Sequence, residues 1–597
     1  MKIIYGIILA FFLFLTPLFS AEPYALDKIV VKTQSQEGFE SFNIEGIGEG
    51  DATFTYDVLN YVPGIDLRNR SPMGIQGDLS LNGSNFEEVA VAIDGINVMD
   101  PQTGHHNLDI PLTIFDVERI NVDKIGDSSL YGAGAFAGSV NMVVKKPTQK
   151  KFNLEALFGE HALFGQALSL TFPSEVISGR FSFDHKKAQA AVPNTDFENQ
   201  TASLYLTKDY EFADLDLLAG YQKKDFGADS FYSNLYPEEE EHTEIYFYKT
   251  GAKFKLNPGF FKTSLYLRKH NDKFILQRNN PTSVNYHTTY VYGFDSNFER
   301  PVKYGKASLG FNIVEEEINS TNLGKHSRRH EGATLGFSLD PAGRLRSNFN
   351  FGVDYYQKWN WQESFNLGLG YYLIDNKLKI NGAVSRSYRL PSFTELYYSD
   401  PGNKGNPNLK EEYSYNFRLG LDFANEFLET GLAGFLRRGY NLIDWTRSVS
   451  TQPWQATNLG RVDYSGLEFN FKINPNADFK FLKVPKVGFS YNYMYANRKA
   501  NGFQSKYALD ILKHQYLLDI YTLVCGLKLN WQFSYNDRYY SDNYFVGNIY
   551  LGKKFETKDF SLEPFVSVDN FTNTQYSEVG GVLQPGRWIK TGLKFQW

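Results

Sequence analysis

From about residue 150 to the end of the chain, apolar and polar residues alternate in one segment after another. A period of two over about eight to ten residues predicts a β-strand with one apolar face and one polar face. Segments 345–355, 487–496 and 527–536 carry this pattern, so this part of the chain is predicted to be all-β. In the third segment the apolar positions are Leu527, Leu529, Trp531, Phe533 and Tyr535.

The polar faces of these strands are rich in Lys, Asn, Gln and Asp, which favours a transmembrane barrel with lipid outside and a hydrated lumen inside. A secreted β-sandwich or β-helix array is the alternative. Ile589, Leu593, Phe595 and Trp597 share one face of a last strand, which is predicted to close the barrel and remove its open edge. Residues 150–597 suffice for about 22 strands of about 9–11 residues, although counting alone leaves about 16 or 18 strands equally open.

The first 149 residues have a different pattern. Met1 and Lys2 precede an apolar run from Ile3 to Leu15, and small residues follow up to Ala21. This order predicts a signal peptide over residues 1–21, because the run is shorter than the 18 or more residues of a spanning helix. Residues 22–40 form a short separate segment, and 41–149 are predicted to be a small mixed α/β globule with helical spacing over Thr55–Tyr61.

Composition excludes several classes of protein. The 597 residues carry a net charge of −6, which argues against a strongly basic nucleic-acid-binding protein. Cys525 is the one cysteine, so an internal disulfide and a cysteine-based zinc site are excluded. HExxH, GxSxG and Walker A motifs are absent, so we expect no enzymatic activity, no cofactor and no metal site.

Several sequence blocks resemble those of the TonB-dependent outer-membrane receptors. In the N-terminal region four blocks occur in the family's order over about 90 residues, namely Val58–Ile65, Leu81–Gly83 with Val91–Ile96, Val117–Gly138, and Val140–Val143. In the barrel region the similar blocks are Arg389–Tyr397, Gly405–Glu412, Val568–Asn573 and Pro585–Arg587. Departures occur where Asn82 and Lys124-Ile125-Gly126 replace the usual arginine-containing motifs, and where Glu411 replaces a proline.

The resemblance implies an outer-membrane barrel of about 22 antiparallel strands over 150–597, with the 41–149 plug domain inside its lumen. It also implies TonB as a partner, contacts with outer-membrane lipid, and no nucleic acid. The TonB box would lie within 22–40, and its short β-prone sequence suits strand addition to a partner. The residues predicted to bind TonB are Asp27, Lys28, Ile29, Val30 and Val31.

The implied function is TonB-dependent uptake of a scarce small ligand, with cobalamin or a similar metal chelate as the first expectation. A ferric siderophore or haem receptor of the same family is the alternative. A passive porin or adhesin and a secreted soluble β-protein are alternatives of other classes. The porin would need an open lumen, and the secreted protein would be released without detergent.

The ligand is expected to bind two apical loops of the plug, 69–74 and 100–107. His105 and His106 are adjacent and would face opposite sides of a strand, so we do not expect them to share a metal ion. Two nearby segments keep two interpretations each: Glu238–Glu244 as a calcium site or a solvated loop, and Phe226–Ser233 as a ligand contact or an interfacial girdle. The residues predicted to bind substrate are Asn69, Arg70, Ser71, Met73, Gln102, Thr103, His105 and His106.

Overall fold

The computed structural model describes residues 39–43 and 54–597, except 233–234, 341–342, 476, 480–481, 499–502 and 507–510. The predicted signal peptide and the TonB-binding residues 27–31 lie outside this part of the chain. Within the described residues, no helix is long and apolar enough to cross a membrane.

The N-terminal region forms a small mixed sheet with short helical turns. Its strands within the described residues are β1 Phe39–Asn43, β2 Ile65–Asn69, β3 Gly77–Leu81, β4 Val89–Ile93, β5 Ile96–Asn97, β6 Val117–Asp123 and β7 Gly138–Val144. Its 3-10 helices span Asp57–Tyr61, Pro72–Gly74, Gly104–His106 and Ile114–Asp116, and its α-helix spans Ser128–Tyr131.

Five of these strands form one sheet in the order β1-β6-β7-β4-β5, while β2 and β3 form a separate hairpin. The strands β4 and β7 run parallel at the centre, and every residue of β4 is buried. Burial on both faces explains why Val89–Ile93 is a continuous apolar run instead of an alternating one. The helical spacing at Thr55–Tyr61 corresponds to a 3-10 helix that ends just before Pro63.

The rest of the chain forms a closed antiparallel barrel and the strands of its loops. In chain order these strands are β8 Lys151–Gly159, β9 Leu163–Phe172, β10 Ser178–Ala188, β11 Phe197–Asp209, β12 Ala213–Gly227, β13 Glu240–Leu256, β14 Gly259–Ile275, β15 Val284–Val302, β16 Gly305–Ser320, β17 Gly324–Leu339, β18 Leu345–Tyr356, β19 Asn360–Ile374, β20 Leu378–Arg389, β21 Asn403–Lys404, β22 Glu412–Ala424, β23 Leu428–Tyr440, β24 Ile443–Arg447, β25 Trp454–Asn458, β26 Arg461–Ile473, β27 Ala477–Phe479, β28 Leu482–Arg498, β29 Gln504–Ser505, β30 Leu512–Val524, β31 Leu527–Arg538, β32 Tyr544–Gly552, β33 Phe555–Glu556, β34 Ser561–Asp569, β35 Ser577–Val579, β36 Val582–Leu583 and β37 Trp588–Gln596. A single short α-helix, Phe393–Tyr397, lies in a barrel loop within the described residues.

In the described part of the chain, 22 of these strands make up the closed barrel. The short segments β27 and β33 extend two of them, while β21, β24, β25 and β29 form a small sheet in the loops. The last strand β37 pairs with β34 on one side and with β8 on the other. The predicted strand count and the predicted closure by the C-terminal strand are therefore confirmed.

The barrel places its apolar side chains outside and its polar side chains inside. On β14, Leu265 is 57% exposed, whereas Arg268, His270 and Asp272 on the other face are buried. Leucine at the outer position and ionisable residues at the inner one are what a lipid-facing wall around a polar lumen requires. The connections at one end are short, such as 257–258 and 303–304, and those at the other end are longer, such as 228–239 and 390–411.

The plug fills the lumen and is held there by ion pairs. Among the described residues, lysine and arginine salt bridges cross from plug to barrel wall in different directions, which explains the polar inner faces of the strands. They include Asp66–Arg538 at 2.5 Å, Asp94–Lys249 at 3.2 Å, Asp100–Arg268 at 2.7 Å, Asp109–Lys224 at 2.7 Å, Asp116–Arg180 at 2.9 Å and Lys124–Glu468 at 3.1 Å. A passive porin requires an open lumen, and this arrangement does not provide one.

Candidate functional site

The two apical loops of the plug meet at the carboxylate of Asp78. Arg70 donates from Nη2 to Asp78 Oδ2 at 2.7 Å, and His105 Nδ1 lies 2.7 Å from Asp78 Oδ1. Burial opposes ionisation of Asp78, but Arg70 and His105 outweigh it and hold the pKa of this carboxyl well below its usual range. Arg70 and Asp78 therefore form a buried ion pair, and the contact of His105 with Asp78 joins the second loop to it.

Burial also lowers the pKa of His105 to about 4, because the attraction of Asp78 only partly offsets the loss of solvent and Arg70 repels the charged imidazolium. The neutral ring stacks on Phe86 at 4.2 Å between ring centroids. Gly104 permits this approach, since a Cβ there would lie 2.8 Å from the Phe86 carbonyl oxygen.

The loop between β12 and β13 covers this cluster. Arg70 Nη1 donates to the Phe231 carbonyl, and the Arg70 guanidinium lies 5.6 Å from the ring centroid of Tyr232. Phe226 and Phe231 are buried, and Tyr232 is half-buried against the plug. These aromatic side chains therefore pack inward, on the plug, instead of forming an interfacial girdle.

The barrel wall holds the second loop through its charged groups. Asp100 Oδ2 accepts a hydrogen bond from Arg268 Nη1 at 2.7 Å and lies 2.8 Å from His270 Nδ1. Gln102 Nε2 donates to Asp272 Oδ2 at 2.9 Å. These contacts fix the loop against β14, where all three barrel residues occupy alternate, inward-facing positions.

His106 lies at the centre of a second cluster. Its Nδ1 atom is 3.4 Å from Asp109 Oδ2, and its Nε2 atom is 3.6 Å from both Glu241 Oε1 and Asp272 Oδ2. Burial disfavours the imidazolium, but the neighbouring carboxylates Asp109 and Asp272 more than offset it and raise the pKa of His106 well above its ordinary value. His105 and His106, adjacent in sequence, thus have opposite electrostatic environments.

A barrel loop caps the second apical loop from the other side. The first backbone N–H groups of the helix Phe393–Tyr397 donate to plug carbonyls, Phe393 to Pro101 at 2.9 Å and Thr394 to Gln102 at 3.0 Å. These N–H groups have no partner within the helix, so the plug satisfies them. Arg389, which precedes the helix, forms bidentate pairs with Glu395 and Glu412 and fixes this loop.

The first apical loop lies beside a cavity. A space of about 170 Å³ separates Asn69, Ser71 and Met73 from the barrel residues Asn548 and Trp588. The backbone N–H of Asn69 donates to Glu578 Oε2 at 2.6 Å, which ties this loop to the last long barrel loop. Ser71 is fully buried, and its hydroxyl has no hydrogen-bond partner among the described residues.

The structure therefore places seven of the eight predicted substrate-binding residues in three groups. Arg70 and His105 meet at Asp78, Gln102 and His106 meet at Asp272, and Asn69, Ser71 and Met73 line the cavity of about 170 Å³. The eighth, Thr103, is the N-cap residue of the Gly104–His106 turn and is buried.

The acidic run Glu238–Glu244 is not a solvated loop over its whole length. The strand β13 begins at Glu240, and Glu239 and Glu241 are buried at alternate positions. Burial is tolerated because Glu241 accepts a hydrogen bond from Tyr232 at 2.8 Å and faces His106 of the plug. The solvated-loop interpretation of this segment is therefore wrong for Glu239 and Glu241.

Sequence reasoning did not select the partners of the apical loops. Asp78, Asp109, Arg268, His270 and Asp272 all contact the predicted residues, and none was a candidate. The signal present in the sequence is the spacing of Arg268, His270 and Asp272, which places three ionisable side chains on one face of a strand. Such a row on an inward face requires partners from another part of the chain.

Known protein families match both regions. The model of the TonB-dependent receptor plug domain matches residues 32–139, and that of the TonB dependent receptor-like β-barrel matches residues 165–571. The chain belongs to the TonB-dependent receptor family. This receptor is accordingly an outer-membrane β-barrel protein, which excludes a secreted soluble β-protein, and its longer loops and apical plug loops lie at the external end.

Individual relatives of this receptor are distant. The vitamin B12 transporter BtuB of Vibrio vulnificus (strain YJ016) is 20% identical over 494 residues, covering 76% of this chain and 77% of the relative. The solved siderophore receptor PirA from Acinetobacter baumannii has 16% identity and a TM-score of 0.77, covering 94% of this chain and 98% of that one. The copper transporter OprC has 14% identity and a TM-score of 0.78 with the same coverage. The solved structures at such identity establish the shared fold.

Proposed function

We propose that this receptor takes up a scarce metal chelate across the outer membrane, with TonB supplying the driving force and cobalamin as the first substrate. The observation that carries the proposal is the plug, which occupies the lumen and is joined to the wall by salt bridges on several sides. A ligand can pass such a barrel only after the plug rearranges, so uptake requires an energy-coupled step.

TonB is proposed to pair with Asp27–Val31 as an added β-strand. Ligand occupancy at the external end must then change how readily TonB binds this segment, which is a coupling free energy between two sites. Backbone hydrogen bonds carry most of the affinity in strand addition. The sequence Leu26–Lys32 contains no proline or glycine that would interrupt them.

The variant Ile29→Pro tests the coupling, because proline removes a ladder donor. Uptake of radiolabelled cobalamin by intact cells should be abolished, while binding to the cell surface stays unchanged. The matched control Ile29→Val retains the donor and should transport normally. Unchanged uptake by Ile29→Pro would show that the segment is not used for coupling.

Cobalamin is favoured by the sequence relationship to the vitamin B12 transporter, which extends over three quarters of both chains. The solved structures similar in fold include siderophore receptors, so a ferric siderophore is the second candidate and haem the third. Detergent-purified protein titrated with cyanocobalamin, a ferric siderophore and haemin separates the three. We expect nanomolar binding of cyanocobalamin and no binding of the other two. If cyanocobalamin does not bind, an iron chelate becomes the proposed substrate.

Ligand contact is proposed for the eight apical residues, beginning with those that line the cavity. Asn69 and Met73 are half-buried and face open space, so Asn69→Ala and Met73→Ala should weaken binding without a loss of folded protein. Arg70 and His105 are covered by residues 231–232, so their contact with the ligand requires this loop to move. Lys306 is exposed, pairs with Glu299 and lies at the end of the barrel with the short turns, away from the apical loops. The control Lys306→Ala should therefore leave ligand binding unchanged.

A further inference from the structure

The cluster around His106 differs from the other plug–barrel contacts because it brings together several side chains that can bind a metal ion. The described residues include two groups of three potential metal ligands, and both contain His106. The first group adds Asp109 and His270, and the second adds Glu241 and Asp272. In each group the ligand atoms all lie within 4.8 Å of one another.

The charges distinguish the two groups. Asp109 is already neutralised by Lys224 at 2.7 Å. Within the described part of the chain, neither Glu241 nor Asp272 forms a salt bridge with a lysine or an arginine. Two carboxylates that are each at most 4% exposed thus face a single imidazole. A protonated imidazole carries one positive charge and can compensate only one of these carboxylates, whereas a divalent cation would compensate both.

The distances around His106 Nε2 also suit a metal ion. Its separations of 3.6 Å from Glu241 Oε1 and Asp272 Oδ2 exceed those of a normal hydrogen bond. Ligands bound tetrahedrally at about 2.0–2.2 Å from a zinc ion lie about 3.4 Å from one another. Both distances to His106 Nε2 are therefore close to the spacing that coordination of one ion would impose, and the two carboxylate oxygens lie within 4.8 Å of each other.

The surrounding groups are those that orient metal ligands. A metal-bound histidine usually directs its other ring nitrogen to a carboxylate, and His106 Nδ1 faces Asp109 at 3.4 Å. Tyr232 donates to Glu241 Oε2 and Gln102 donates to Asp272 Oδ2, so each carboxylate is fixed through one oxygen. The other oxygen of Asp272, Oδ1, is buried and has no hydrogen-bond partner among the described residues, so an ion bound by this carboxylate would satisfy an oxygen that is otherwise unpartnered.

We propose that His106, Glu241 and Asp272 bind one divalent first-row transition-metal ion, which fastens the second apical loop of the plug to β13 and β14. A nitrogen and carboxylate oxygens without sulfur suit zinc, iron(II) or manganese(II). Calcium prefers six to eight oxygen ligands, so the imidazole argues against it. The ion would be a resident of the plug–barrel boundary, and this site does not depend on which ligand the receptor transports.

The test is a titration of untagged, detergent-purified receptor with Zn²⁺ after removal of metals by EDTA. One saturable equivalent is expected in the wild type, and Ca²⁺ in excess should not displace it. His106→Gln, Glu241→Gln and Asp272→Asn should each weaken binding by more than tenfold, and Asp109→Asn by about 10–100-fold. The matched control is His185→Gln, which changes a histidine of β10 that is paired with Glu198 at 2.8 Å and should keep the wild-type affinity.

X-ray absorption of the zinc-loaded protein gives an independent readout that needs no variant. It should show nitrogen and oxygen ligands at about 2.0–2.2 Å, with imidazole scattering. Absence of a saturable equivalent in the wild type would overturn the proposal. Zinc bound equally well by His106→Gln and Glu241→Gln, with heat-modifiable electrophoretic mobility showing that both are folded, would also overturn it.

Discussion

The plug encloses apolar side chains such as Val91, Ile93 and Met142 and directs its ionisable residues outward, whereas β14 of the barrel directs Leu265 outward and Arg268 inward. The plug is thus built like a soluble domain, and the barrel has the reverse polarity because its solvent is lipid. The two surfaces that meet in the lumen are consequently both polar.

This difference bears on how the plug can move. Separating two apolar surfaces exposes area to water at about 25 cal/mol per Å², whereas separated charges regain their hydration. A boundary of ion pairs and hydrogen bonds therefore holds the plug in one position without making its rearrangement prohibitive. Such a boundary suits a plug that must stay closed at rest and open when pulled.

The largest effect on stability is expected where removal of one charge of the plug leaves its barrel partner buried without an opposite charge. Asp116 accepts from Arg180 at 2.9 Å, Ser182 at 2.9 Å and Ser203 at 2.7 Å, so Asp116→Asn should lower the free energy of unfolding by about 3–5 kcal/mol. Urea unfolding of the full receptor in lipid vesicles measures this change. The double variant Asp116→Asn with Arg180→Met should recover much of the loss, and no recovery would indicate that the uncompensated charge is not its cause.

The next effect concerns the lipid-facing side of the barrel. Leu419 lies near the middle of β22 and is 62% exposed, so Leu419→Arg should cost about 2–4 kcal/mol in the same vesicles. The control Leu419→Phe keeps an apolar side chain at this position and should be nearly neutral. Equal stability of the arginine variant would contradict the assignment of this face to lipid.

The smallest effect is a pH dependence at the boundary. Burial opposes ionisation of Asp66, but Arg538 and Arg68 outweigh it and lower the pKa of this carboxyl to about 2. Because the pKa is lower in the folded state, the stabilisation is complete above pH about 4 and is lost as the pH falls towards about 2, amounting to roughly 2 kcal/mol. The stability difference between wild type and Asp66→Asn should shrink over that interval, and a constant difference would refute this origin.

Much of the fold could be predicted from the sequence. Alternation over 527–536 predicted strand β31, and the face shared by Ile589, Leu593 and Phe595 predicted the closing strand β37. The resemblance of the blocks around Val91–Ile96 and Arg389–Tyr397 to those of the family predicted the plug and the barrel. These features are local, because the periodicity of a strand and the residues of a turn depend only on residues that are neighbours in the sequence.

The candidate site was only partly accessible in this way. The apical loops 69–74 and 100–107 followed from the resemblance, whereas Glu241 lies in a charge run that the sequence left open between a calcium site and a solvated loop. It lies instead on an inward strand face opposite His106, 135 residues away in sequence. A run of charged residues does not by itself indicate which of its side chains another domain will bury.

By itself, the sequence determined the strand periodicity and the division of the chain into two regions, since these depend on local patterns of polarity, while the resemblance to the family implied the plug and its apical loops. Only the tertiary structure decided which ionisable groups pair across the lumen, such as His106 with Glu241 and Asp272, or Asp78 with Arg70 and His105. The physical reason is that the energy of a charge depends on the groups within a few ångströms of it, and folding brings those groups together from distant parts of the chain.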